Sequence, residues 1–280
     1  MSGNEPGRIE VDKLGNVRVI TIAYPSRLNA ITPQMHAELL RTWTELSGDE
    51  EARAIVLVGR GEAFSAGVDI DNMVASIGSE AHRRRAINEA RALVIAMTTC
   101  PIPTIAAVNG PAVGVGCTLA LLCDLVVMAD TAYFADPHVS VGLVAGDGGA
   151  LIWPLLIGLS RAKRFLFTGD RVTAAEAVEW GLAVSSHPGE QLMEATMDLA
   201  NRVAKQPYYA LRATKAALNI HLQRAVSAGL EAGVASELAS LSSSEFHEQV
   251  DQLVTAREQR RKQRADDAGR SSSGDGASRD

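Results

Sequence analysis

Residues 138–147, HVSVGLVAGD, open with a histidine and close with an aspartate. Histidine titrates near neutral pH, and a carboxylate on its second ring nitrogen fixes the tautomer and raises basicity, the base-and-orienter pair of hydrolytic sites. Asp147 also stands directly before Gly148 and Gly149, where an aspartate can instead cap a helix, and both readings stay open. The backbone offers a second chemistry. Residues 106–124, AAVNGPAVGVGCTLALLCD, read as an apolar strand that breaks at Asn109-Gly110-Pro111 and restarts as an apolar helix at Gly114-Val115-Gly116. The first N–H groups of a helix lack intrahelical partners and face a site for negative charge, or for a carbonyl oxygen acquiring it. Gly-x-Gly at such a turn is by itself weak evidence, since tight packing uses the same pattern. A second glycine-punctuated strand end, GRGEAFSAGVDI at 59–70, follows the strand-like run 54–58. Two turns, each supplying one N–H, polarise one carbonyl from both sides.

These groups need a scaffold that brings 59–70, 106–124 and 138–147 together. Residues 9–13 and 17–23 alternate apolar and polar around Gly15-Asn16, which predicts a hairpin. Thr32-Pro33 is a helix start running to about Leu46. Strand 54–58, the loop through Ile70, an arginine-rich helix over 81–99 and strand 104–108 follow, with a further strand at 124–129 and a short strand and loop over 134–144. Short helices are expected at 160–167 and 173–180, the latter opening with a capping box of Thr173 and Glu176. Residues 190–263 are helical in period. Strands alternating with helices argue an α/β fold.

Composition narrows the function classes. With 280 residues, 46% of them apolar, the chain can bury a sizeable core. A net charge of −6 gives no basic field for nucleic acid, and no apolar run approaches the length of a membrane span, so neither partner is expected. Cys100, Cys117 and Cys123 sit in apolar contexts without metal-ligand spacing and read as buried free thiols in a cytoplasmic protein; no metal is expected. A dinucleotide site at Gly114-x-Gly116 fails for want of a third glycine and a ribose-binding acid.

AFSAGVDI followed by AAVNGPAVGVGC resembles the paired oxyanion-hole signature of the crotonase superfamily, the enoyl-CoA hydratases and isomerases, and the likeness extends over about 8–260, including RLNAI at 27–31 and LFTGDRVTAAEAVEWGL at 166–182. The resemblance implies a spiral of β-β-α units with a helical C-terminal region that packs trimers, often paired into hexamers. Residues 1–7, polar and glycine-rich, and 266–280, mostly Ser, Gly, Asp and Arg, are expected to be disordered from their composition, and between them the resemblance implies a core at 8–200 with the CoA and active sites and a helical oligomerisation region at 201–265. The same resemblance implies the N–H groups of Val68 and Val115 as hole donors, and Arg27, Ala66, Asp69, Ile70 and Arg257 as the CoA cradle, with Leu253 where an adenine-stacking aromatic commonly stands. Coenzyme A enters as part of the substrate, and no tightly bound cofactor is implied.

The chain departs from the hydratase pattern where two glutamates activate water. Thr118 stands three residues beyond Val115, and His138 occupies the second glutamate position. Threonine is no general base near neutral pH, though its hydroxyl can hold a water. The segment PHVSVGLVAGDG resembles the His-Asp segment of a branch of the superfamily that cleaves carbon–carbon bonds in β-diketones, typified by 6-oxocamphor hydrolase, and His36 falls where that branch has an active-site histidine. The second hole segment keeps the CoA-type GVGC. The expectation is an acyl-CoA enzyme with a His138-Asp147 dyad performing hydrolytic or retro-Claisen cleavage, its activity rising through a histidine pKa near neutrality. The alternatives are hydration or isomerisation by altered residues, or a non-catalytic CoA-binding member. Glu237 matches a glutamate common in the family's C-terminal helices and receives no role.

Overall fold

A computed structural model describes residues 5–273. The chain begins with an antiparallel hairpin, β1 (Arg8–Leu14) and β2 (Val17–Ala23), in which Leu14 pairs with Val17 around Gly15, a residue at φ +60°. β2 alternates in sequence but is buried along its whole length. Its one charge, Arg18, is fully buried and paired with Asp49 at 2.7 Å while also donating to the Gly15 carbonyl, which satisfies the guanidinium.

After α1 (Pro33–Ser47), capped by the Thr32 hydroxyl, comes β3 (Ala54–Gly59). Two helices then follow, α2 (Ile70–Gly78) and α3 (Glu80–Thr99). The sequence reading leaves α2 as loop, but the Asp69 carboxylate accepts the Asp71 N–H and starts a helix there. β4 (Thr104–Val108), β5 (Ala112–Val113), α4 (Val115–Leu121), β6 (Leu125–Ala129) and β7 (Tyr133–Ala135) lead to the site. Beyond it lie α5 (Gly149–Ile157), α6 (Leu159–Thr168), β8 (Val172–Thr173), α7 (Ala174–Trp180), with its capping box formed, and β9 (Ser185–His187).

The strand order is β1-β2-β3-β4-β6-β9 in one sheet and β5-β7-β8 in a smaller one. From β2 to β9 the large sheet is parallel, so its strands are covered on both faces; β3 and β4 expose nothing. The C-terminal helices are α8 (Leu192–Ala204), α9 (Tyr208–Ser240) and α10 (Ser244–Ser273). α10 thus runs into the segment expected as a tail, while 274–280, like 1–4, lie outside the described residues. The three cysteines are buried and unbonded. No helix of the described residues is long and apolar enough to cross a membrane.

Candidate active site

The two glycine-punctuated turns lie side by side. Ser65 bridges to Ala112, the Val113 N–H donates to the Ser65 carbonyl at 2.9 Å, and the Ser65 hydroxyl donates to the Asn29 carbonyl. The fully buried Asn29 side chain ties the RLNAI segment to this loop by donating to the Arg60 and Ala63 carbonyls. Gly114, at φ +52° and ψ −122°, adopts a conformation closed to side chains with a Cβ and turns the chain into α4. Gly116 allows the close approach: a Cβ there would lie 2.7 Å from the Ser65 carbonyl oxygen. Val68 and Val115 both line the pocket that opens between the turns, α1, α2 and α3. Val115 is the first residue of α4, where an N–H has no partner within the helix.

On the facing wall of the same pocket stand His138, Asp147 and Glu237, all buried, each with a ligating atom within 4.8 Å of the others'. Asp136, fully buried on the segment after β7, contacts His138 Nδ1, and Asp147 Oδ2 lies 3.6 Å from Nε2. The sequence reading overlooks Asp136, two residues before the histidine, which meets Nδ1 while Asp147 faces the opposite nitrogen. Gly148 N-caps α5 without a side-chain bond, while the N–H of Gly149, the first residue of that helix, favours the Asp147 carboxylate, so a helix-start role for Asp147 stands beside its contact with His138. The glycines of GDGG also make room: a Cβ on Gly148 would meet Thr118 Cγ2 at 2.8 Å, and one on Gly149 would meet Asp136 Oδ2 at 2.2 Å.

The electrostatics follow from burying three carboxylates around one imidazole. Burial by itself pulls the His138 pKa down, but the charges of Asp136 and Asp147 and the Asp136 hydrogen bond outweigh it, so the pKa ends well above the usual histidine value. His138 is therefore an imidazolium at neutral pH rather than a free base. Burial raises the Asp147 pKa against the opposing pull of His138. Glu237 is pushed up to about 8, first by burial and then by the Asp147 charge, so at neutral pH it is a protonated acid facing the pocket.

Glu237 had no local signal in the sequence. α9 carries it into the site because Gly146 and Gly233 let that helix lie against the loop: a Cβ on Gly146 would sit 2.2 Å from the Gly233 carbonyl oxygen. An unfolded chain ionises Glu237 near 4.5 and the folded one near 8, so folding loses stability as pH rises through that window. Glu237→Gln should therefore raise the melting temperature, by an increment that grows from pH 5 to pH 8 and then levels off, reaching roughly 10 °C. Differential scanning calorimetry across that range checks it; an increment independent of pH would remove the raised pKa.

The remaining residues implied by the resemblance are placed as follows. Thr118 is buried behind the dyad; its hydroxyl lies near enough to Asp147 to favour the carboxylate, yet Oγ1 makes no hydrogen bond of good geometry. His36 lines the pocket from α1. Ala66 lines it as well, while Asp69 and Ile70 form the start of α2. Arg27 and Arg257, 230 positions apart, meet on one carboxylate: Arg257 Nη1 lies 2.6 Å from Asp71 Oδ1 and Arg27 Nη1 lies 3.4 Å from Oδ2, with Asp69 also 3.5 Å from Arg27. The two guanidiniums thus form one basic locus, already neutralised in part by Asp71.

Comparison with known proteins places this geometry. The sequence model of the enoyl-CoA hydratase/isomerase family matches residues 12–264. A putative enoyl-CoA hydratase of Thermus thermophilus is 41% identical over 212 residues, covering 74% of this chain and 81% of that protein. A 4-chlorobenzoyl coenzyme A dehalogenase of an Arthrobacter species is 32% identical over 209 residues, covering 74% and 76%. The crystal structure of an enoyl-CoA hydratase/isomerase from Mycobacterium paratuberculosis superposes with a TM-score of 0.86 at 42% identity, covering 89% of this chain and all of that one.

Proposed function

Because the chain belongs to the enoyl-CoA hydratase/isomerase family, with the crotonase fold, we propose that it cleaves a β-ketoacyl-CoA thioester with water. The thioester oxygen lies between the N–H groups of Val68 and Val115, and the His138-Asp147 dyad handles the proton. The observation that carries this reading is the buried row Asp136, His138, Asp147, of which His138 and Asp147 line the same pocket as Val68 and Val115. Asp147, held ionised beside the imidazolium, takes a proton from water as the water oxygen bonds to the β-carbonyl carbon. Collapse of that adduct breaks the bond between the α- and β-carbons and leaves the electron pair on the α-carbon as a thioester enolate. The enolate oxygen is stabilised by the two N–H groups, and the proton taken from water returns to the α-carbon through the dyad. The products are a free acid and a shortened acyl-CoA. Arg27 and Arg257, with the Ala66 to Ile70 backbone, hold the CoA portion.

A second reading, hydration of an enoyl-CoA, is favoured by the names of several relatives, among them the Thermus thermophilus protein. The same dyad would then deliver hydroxyl to the β-carbon and a proton to the α-carbon. Incubation with enoyl-, β-hydroxy- and β-ketoacyl-CoA esters, with products identified by mass, separates the readings. Cleavage of the β-ketoacyl ester is expected. Conversion of the enoyl ester alone would make the protein a hydratase, and no conversion at all would leave a CoA-binding member.

The electrostatics change the pH profile that the sequence suggests. An ionised Asp147 acting beside a protonated His138 gives activity that rises on the acid side as Asp147 loses its proton, above the usual aspartate value, and falls only when the imidazolium deprotonates, well above the usual histidine value. A pH–rate profile with an acid-side rise and an alkaline fall is the expected result. A single rise centred near pH 6.5 would instead make neutral His138 the base.

The same reading includes a homotrimer or hexamer built on the C-terminal helices. In the single chain α9 leaves Leu218 66% and Tyr209 86% exposed, large apolar groups of the kind that an interface covers. Light scattering at micromolar concentration should give three or six times the chain mass of 29.7 kDa; a monomer would refute the assembly.

A further inference from the structure

Behind the dyad, sharing His36, Val115 and Asp147 with the main pocket, is a small chamber with room for a single water. Its walls are apolar, from Leu93 and Val94 of α3 and Leu119 of α4, except at three points. Those points are His36, Thr118 and Asp147, and His36 Nδ1, Thr118 Oγ1 and Asp147 Oδ1 are each buried without a hydrogen-bond partner. Three orphaned polar atoms around one water-sized chamber are unusual in a folded protein, where buried polar groups are paired.

We propose that this chamber is a built water subsite, with one water held by His36 Nδ1, Thr118 Oγ1 and Asp147 Oδ1, and that His36 is a positioning residue for it. The hydrogen accounting closes. The water donates one hydrogen to the Asp147 carboxylate and one to His36 Nδ1, and it accepts the Thr118 hydroxyl hydrogen. His36 serves as an acceptor because burial lowers its pKa to about 4, leaving a neutral ring whose Nε2 carries the hydrogen. The arrangement depends on threonine at 118. A longer side chain there would fill the chamber, and an apolar one would remove its third partner. The water sits on Oδ1 of Asp147 while His138 faces Oδ2, so the carboxylate spans the water and the imidazolium. The role in turnover rests on the acyl-CoA reading above, whereas the subsite itself does not.

Crystallography decides the subsite independently of activity. Crystals of the unaltered chain should show one ordered water within about 3.2 Å of all three atoms, and Thr118→Val should lose or displace it. Xenon pressurisation of the same crystals should leave the chamber of the unaltered chain free of xenon, which favours dry apolar cavities. Xenon there, or a chamber with no water peak, overturns the proposal. For the positioning role, His36→Leu should lower kcat by about 10- to 100-fold with KM for the acyl-CoA unchanged. An unchanged kcat, or a loss confined to KM, would overturn that role. Should no acyl-CoA be turned over at all, the failure falls on the proposed reaction, and the water density still decides the subsite.

Discussion

Asp147→Asn should lower turnover of the acyl-CoA substrate by about 10²–10⁴-fold, the range for losing a general acid or base. The substitution keeps the size of the side chain and removes the charge that faces His138 Nε2 across 3.6 Å. His138→Ala should cost a similar factor, but it also leaves Asp136 and Asp147 buried without a cation, so it should lower folding stability as well, by about 3–5 kcal/mol. Asp147→Asn is therefore the cleaner variant, and steady-state kinetics with a denaturation curve for each protein separates the two effects. Full activity in Asp147→Asn would remove the carboxylate from the mechanism.

Gly116→Ala carries the second large effect, although it alters no functional group. Its new methyl would lie 2.7 Å from both the Ser65 carbonyl oxygen and Ser65 Cβ, and the Ser65 segment is held in place by Ala112 and Asn29. α4 must move away, carrying with it the Val115 N–H that is proposed to bind the thioester oxygen together with that of Val68. Loss of one oxyanion donor costs about 10²–10³-fold in kcat, and this variant should reach that range. Gly189→Ala, where an added Cβ meets nothing within 4 Å, is the control and should keep full activity. Comparable activity in the two variants would disconnect the turn geometry from catalysis.

Much of the scaffold was legible because its signals are local. Thr32-Pro33, the Thr173 and Glu176 capping box and the Gly15 turn each act within a few residues, and each forms as its residues predict. Asp69 carries a second local signal: the sequence reading places its segment at CoA through backbone groups, and its side chain in addition caps α2, a helix that reading does not assign. The site was legible in part: His138, Asp147, Thr118, Val68 and Val115 gather around one pocket and its rear chamber. Asp136 was overlooked because attention to the longer His-to-Asp spacing passed over a carboxylate two residues before the histidine. Glu237 was noticed only as matching a family glutamate and its place at the site was not legible, since the packing of α9 on Gly146 brings it to His138. Nor does sequence disclose the charge state of His138, which depends on buried carboxylates that folding gathers around it.

The central claim is that a CoA thioester carbonyl sits between the two turns and faces the dyad. A crystal structure with a non-cleavable β-ketoacyl-CoA analogue tests it most directly. The thioester oxygen should lie within about 3.2 Å of both the Val68 and Val115 nitrogens, with the β-carbon on the side of Asp147 and His138. An analogue bound with that oxygen more than about 3.5 Å from both nitrogens would contradict the account.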